Sequence, residues 1–146
     1  MDVLVRWESN SLQGVGVGSS GHGVLIDSAD PAAGGRAQAA SPVELLLMSL
    51  CGCTGMDVVA ILGKMRVGLE RLEVGALGVR EAEHPRRFTR ITLVYRAWGA
   101  VEEAKLTKAI ELSLTRYCPV ANTLKGSIEL DYRFEINPTD DDGGTA

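Results

Sequence analysis

The stretch LLLMSLCGCTGMDVVAIL, residues 45–62, contains a single charged side chain, Asp57. Its apolar residues fall on every face of a helix, so a helix built from it must be enclosed on most sides. The flanks define that helix. Ser41-Pro42 offers an N-cap followed by proline at the first helical position, and Glu44 lies in the first turn. Lys64 and Arg66 suit a C-terminal end and Gly68 stops it, which predicts a helix from Pro42 to about Arg66. A chain of 146 residues has little material with which to wrap such an element. An intimate homodimer is the natural remedy.

The remaining periodicities predict the other elements. DVLVRWES alternates Val3, Val5 and Trp7 with polar residues and reads as a strand, and the glycine-punctuated GVGVGSSGHGVLIDS reads as two more. Residues 69–81 and 87–98 form a long hairpin turning near His84-Pro85. In VEEAKLTKAIELSLTRY, Leu106, Ala109, Ile110 and Leu114 make one stripe, with Glu102, Lys105, Lys108 and Glu111 outside it. That is an amphipathic helix. CPVANTLKGS predicts a short helical turn closed by Gly126, and SIELDYRFEI a final strand. The order βββ-α-ββ-α-β, with strands clustered, points to an α+β fold with antiparallel sheet. Residues 1–137 are expected to form one domain, followed by an acidic tail, 138–146, of disordered composition.

Composition narrows the functional classes. Fifteen Lys and Arg against nineteen Asp and Glu give a net charge of −4, with no basic run, which disfavours a nucleic-acid partner. The start MDVLVRWESN lacks a basic segment followed by an apolar one, so no secretory signal is expected. The uncharged run from Leu45 to Met56 is too short to span a bilayer. A cytoplasmic protein with no membrane partner is the expectation. There, an odd count of three cysteines does not make a structural disulfide framework.

The cysteines therefore need separate readings. Cys51 and Cys53 differ by about 200° around a helix and cannot pair with each other. Cys51 is expected to fill the core, as are Met48, Met56 and Met65. Cys118 precedes Pro119, which disfavours helix at Cys118 and favours one just after it, placing the thiol at an N-cap. The dipole there lowers a thiol pKa from about 8.5. His22 and His84 match no zinc spacing, so neither a metal nor another cofactor is expected.

SPVELLLMSLCGCTGMDVVAIL followed by RYCPVANTL resembles the two cysteine motifs of the OsmC/Ohr family of thiol-dependent peroxidases, and GHGVLIDS before the first motif resembles its YhfA-like branch. The resemblance runs from about residue 1 to 136. It implies two central helices wrapped by antiparallel sheets in an intertwined homodimer, with active sites at the dimer interface. It also implies that Cys53 is the peroxidatic cysteine and Cys118 the resolving one. The partners would be a small hydroperoxide and a dithiol reductant.

The chain departs from the peroxidase pattern at the position after the helix-opening proline. Val43 stands where peroxidases of the family carry a Glu that, with an Arg, activates the cysteine. Glu44 is one residue along and turned by about 100°. Arg36 lies in the loop before the helix and is a candidate activator; His22 stands where some relatives have an Arg-containing turn. Asp57, four residues after Cys53, shares its helical face and opposes a thiolate there unless a cation such as Arg36 or Arg116 intervenes. Asp57 reads best as an ion-pair partner at the dimer interface. Two function classes follow: a peroxidase reducing organic hydroperoxides, favoured by the cysteine pair, and a relative binding a small apolar or thiol-containing molecule at the interface, favoured by the missing Glu.

Overall fold

In the computed structural model of the chain, the described residues are 1–8, 11–28 and 30–139. They form two compact units, 1–46 and 47–146, divided within the long apolar helix. The first unit holds β1 (Val3–Trp7), β2 (Gly14–Gly18) and β3 (Gly23–Ile26), an antiparallel sheet in chain order. A single turn of 3-10 helix, Pro31–Ala33, follows, and then the start of α1 (Pro42–Lys64).

Helix α1 begins where its cap residues dictate. Ser41 Oγ accepts from the Glu44 N–H at 3.3 Å, while the Glu44 carboxylate accepts from the Ser41 N–H and hydroxyl, both at 2.7 Å. This reciprocal arrangement is a capping box, and it satisfies two N–H groups that the first turn would otherwise leave unpaired. By length and composition α1 is also long and apolar enough to cross a membrane, which the shorter uncharged run within it did not indicate. Its residues Leu50, Thr54, Val58 and Leu62, spaced four apart, are instead fully buried.

The second unit is built on that stripe. Strands β4 (Gly68–Arg80) and β5 (Phe88–Ala100) form the long antiparallel hairpin, and β5 presents Ile91, Leu93, Tyr95 and Ala97 at every second position to the core. Helix α2 (Glu103–Leu112) adds Leu106, Ala109 and Ile110, three of the four predicted stripe residues, fully buried with α1 and β5 residues in one cluster, while Leu114 lies beyond α2 and is half-buried. Side chains of this kind each contribute about 1.5–3 kcal/mol on burial.

Two features differ from the sequence expectation. Strand β6 (Glu129–Ile136) pairs with β5 in parallel, whereas the sheet was expected to be antiparallel. A parallel neighbour needs a long crossover, and the helical segment between β5 and β6 provides one. The amphipathic helix expected over residues 101–117 is also cut short. After α2 it widens into a π-helical turn, Ser113–Tyr117, and then restarts as α3 (Pro119–Leu124). Gly126, at φ +88°, turns the chain after α3 as predicted. Of the expected tail, Pro138 is tied down, its carbonyl accepting from Trp98 Nε1 at 3.1 Å; residues 140–146 lie outside the described residues.

Candidate functional site

The second unit gathers Cys53, Cys118 and Asp57 around the junction between α1 and the π turn. Cys53 lies on the half-buried flank of α1, one residue before the buried Thr54. Cys118 is fully buried at the N-cap of α3, where its sulfur accepts from the Ala121 N–H at 3.3 Å. Cys53 is close enough to Cys118 to influence its thiol. All three cysteines are free.

The N-cap position of Cys118 is as predicted, but its electrostatic consequence is reversed. Burial pushes the thiol up to about 11, and the neighbouring Cys53 adds to the rise; the Ala121 and Val120 N–H groups pull the other way and lose. Removing a thiolate from water costs more than one short helix end returns. Cys118 therefore holds its proton at neutral pH. Cys51, half-buried on the other side of α1, packs against the core, and burial raises its thiol as well.

A chain of hydroxyls adjoins the thiol pair. Tyr95 OH lies 2.7 Å from Thr54 Oγ1, and Ser113 Oγ lies 2.9 Å from both Thr54 Oγ1 and Asp57 Oδ2. Each hydroxyl carries one proton. The Ser113 hydroxyl donates toward both Thr54 Oγ1 and the Asp57 carboxylate, and a proton of Thr54 or Tyr95 makes the remaining contact. Burial raises the Tyr95 phenol well above its usual range, with the nearby Cys118 and Cys51 contributing, and keeps it a neutral donor. Asp57 accepts from Ser113 within the chain.

Three of these residues were not singled out from the sequence. The signal was present in their register. Thr54 interrupts the Leu50-Val58-Leu62 stripe, Ser113 extends the Leu106-Ala109-Ile110 stripe by one step, and Tyr95 alternates with Leu93 and Ala97. Polar groups at core positions must find partners, and three hydroxyls at such positions can find one another.

The other candidates lie in the first unit. Glu44 is occupied in the cap of α1, and its hydrogen bonds from Ser41 hold its carboxyl below the ordinary range. Arg36 is exposed beside Asp27, whose carboxyl is lowered chiefly by the Gln38 N–H, against the opposing effect of burial, with Ser28 and Arg36 adding to the lowering. His22 is exposed in the turn before β3, its N–H donating to Ser20 Oγ at 3.4 Å. Among the described residues, no group of three or more His, Cys, Asp or Glu side chains is placed to hold a metal ion.

The fold has counterparts among known proteins. The model of the OsmC-like protein family matches residues 34–133. The chain belongs to the OsmC-like family. It is 34% identical to Protein YhfA of Escherichia coli K12 over 93% of this chain and 98% of that protein. Among solved structures, a hypothetical protein from Aquifex aeolicus VF5 superposes with a TM-score of 0.80 at 30% identity, covering 92% of this chain and 94% of that one. The organic hydroperoxide resistance protein OsmC of Legionella pneumophila shares the fold, with a TM-score of 0.67 at 17% identity over 92% of this chain and 95% of that one.

Proposed function

We propose that this OsmC-like protein is a thiol-dependent peroxidase that reduces organic hydroperoxides in the cytoplasm, with Cys53 as the peroxidatic and Cys118 as the resolving cysteine. The observation that carries the reading is the nearness of Cys53 to the buried Cys118, close enough for Cys53 to raise the Cys118 thiol. In the first step Cys53 thiolate attacks the outer oxygen of ROOH, the O–O bond breaks, and the products are Cys53 sulfenic acid and, after protonation, ROH. In the second, Cys118 sulfur attacks the sulfenic sulfur; its thiol proton and the leaving hydroxide form water, and a Cys53–Cys118 disulfide remains. A dithiol then reduces that disulfide by two exchanges and is itself oxidised. The apolar side chains packed around the pair favour an organic hydroperoxide over hydrogen peroxide. The name of the Legionella pneumophila relative, an organic hydroperoxide resistance protein, accords with this reading.

The working unit is a homodimer. One face of α1 is buried along Leu50, Thr54, Val58 and Leu62, but Met48, Met56 and Val59 remain 57%, 71% and 48% exposed, with Gly52, Ala60 and Gly63 exposed alongside them. A face of methionine and small residues on so apolar a helix is suited to close approach by a second copy.

One observation favours the other function class. Val43 occupies the position of the activating Glu of family peroxidases, and the Glu44 carboxylate is committed to Ser41. Steady-state consumption of cumene hydroperoxide by the reduced protein with a dithiol separates the two. Wild-type turnover that Cys53→Ser abolishes supports the peroxidase; a folded wild-type protein that consumes none leaves the ligand-binding reading in its place.

A further inference from the structure

We propose that Ser113, clamped to Thr54 and Asp57, is the positioning residue that sets Cys118 against Cys53 for disulfide formation. The proposal rests on the thiol-pair chemistry above and assigns the part of the protein that makes the pair meet. Ser113 acts at both of its polar ends. Its hydroxyl is held at 2.9 Å by Thr54 and by Asp57, which lie one and four residues after Cys53 on α1. Its carbonyl accepts from the Cys118 N–H at 2.8 Å, the bond that closes the π turn. A continuous path therefore runs from the helix of one cysteine through a single residue to the backbone of the other.

The π turn makes this joint possible. In an α-helix the Cys118 N–H would bond to the Leu114 carbonyl; the widened turn moves it back to Ser113. The released Leu114 carbonyl accepts instead from Asn122 Nδ2 at 3.4 Å, and the same nitrogen donates to the Cys118 carbonyl at 2.9 Å. Both sides of Cys118 are thereby held. Tyr95, hydrogen-bonded to Thr54 from β5, anchors the far end of the hydroxyl chain. No buried side-chain nitrogen or oxygen among the described residues lacks a partner, so a lost hydroxyl strands its neighbours.

The test is the thiol–disulfide equilibrium of the purified full-length chain in glutathione redox buffers. The Cys53–Cys118 disulfide is quantified by mass spectrometry, and thermal unfolding is measured beside it. Thr54→Val keeps the side-chain shape and removes the hydroxyl, Thr54→Ser keeps the hydroxyl, and Ser113→Ala removes the clamp itself. The effective concentration of the pair should fall about tenfold or more in Ser113→Ala and Thr54→Val and stay near wild type in Thr54→Ser. With one equivalent of cumene hydroperoxide, dimedone-trapped Cys53 sulfenic acid should accumulate in the first two variants only. If Ser113→Ala does not fold, the Thr54 pair decides the matter alone. Folded variants with the wild-type equilibrium overturn the proposal, as does a loss that Thr54→Ser shares with Thr54→Val. A wild-type chain that forms the disulfide in the buffer but consumes no hydroperoxide refutes the peroxidase and leaves the positioning role standing. A wild-type chain that never forms it overturns both.

Discussion

Cys118 shows how burial outweighs a local dipole. Its place before Pro119 predicted an N-cap and a lowered thiol pKa; the cap is present, and the thiol is pushed up to about 11. The sign of the resulting stability effect follows directly. The unfolded chain loses this proton in the ordinary thiol range, near 8.5, while the folded chain holds it to about 11. The contribution is fully present below the unfolded value and disappears as pH rises through the folded one. The urea midpoint of the reduced wild-type protein should therefore drop more between about pH 7.5 and pH 10 than that of Cys118→Ser, and equal drops would contradict the assignment. Tyr95→Phe should lower stability by about 1 kcal/mol, read from the same urea curves, because it removes the hydroxyl paired with Thr54. The cysteines were legible from motif and spacing. The hydroxyl chain was not, because a lone Thr, Ser or Tyr at a core register position looks like imperfect patterning until the three are seen to meet.

Among the elements, α1 was the most legible, since its cap residues and its apolar run set its limits without tertiary help. Ser41→Ala should cost about 1 kcal/mol by opening the capping box, whereas Leu62→Ala should cost about 2–5 kcal/mol by leaving a cavity in the buried stripe; chemical denaturation of each variant checks the ranking. The parallel placement of β6 was not legible. The alternation in SIELDYRFEI fixes which residues share a face but carries no direction, and direction is set by the crossover through α2, the π turn and α3. The π turn was equally hidden. The stripe Leu106-Ala109-Ile110-Leu114 continues an α-helical period up to the turn, and the register breaks only where Ser113 takes the Cys118 N–H.

At the scale of the whole molecule, the apolar face left uncovered on α1 is the feature that calls for a second chain. Placing a charge in it, as in Met56→Lys, should shift sedimentation at low micromolar concentration from dimer to monomer, and a wild-type protein that is already a stable, folded monomer would contradict the dimer. The account as a whole turns on which sulfur atoms react. Its most direct measurement is peptide mapping by mass spectrometry after the reduced protein meets one equivalent of an organic hydroperoxide. The predicted product joins Cys53 to Cys118 and leaves Cys51 free; a main product with Cys51 in the disulfide, or three unchanged thiols on a folded protein, would contradict it.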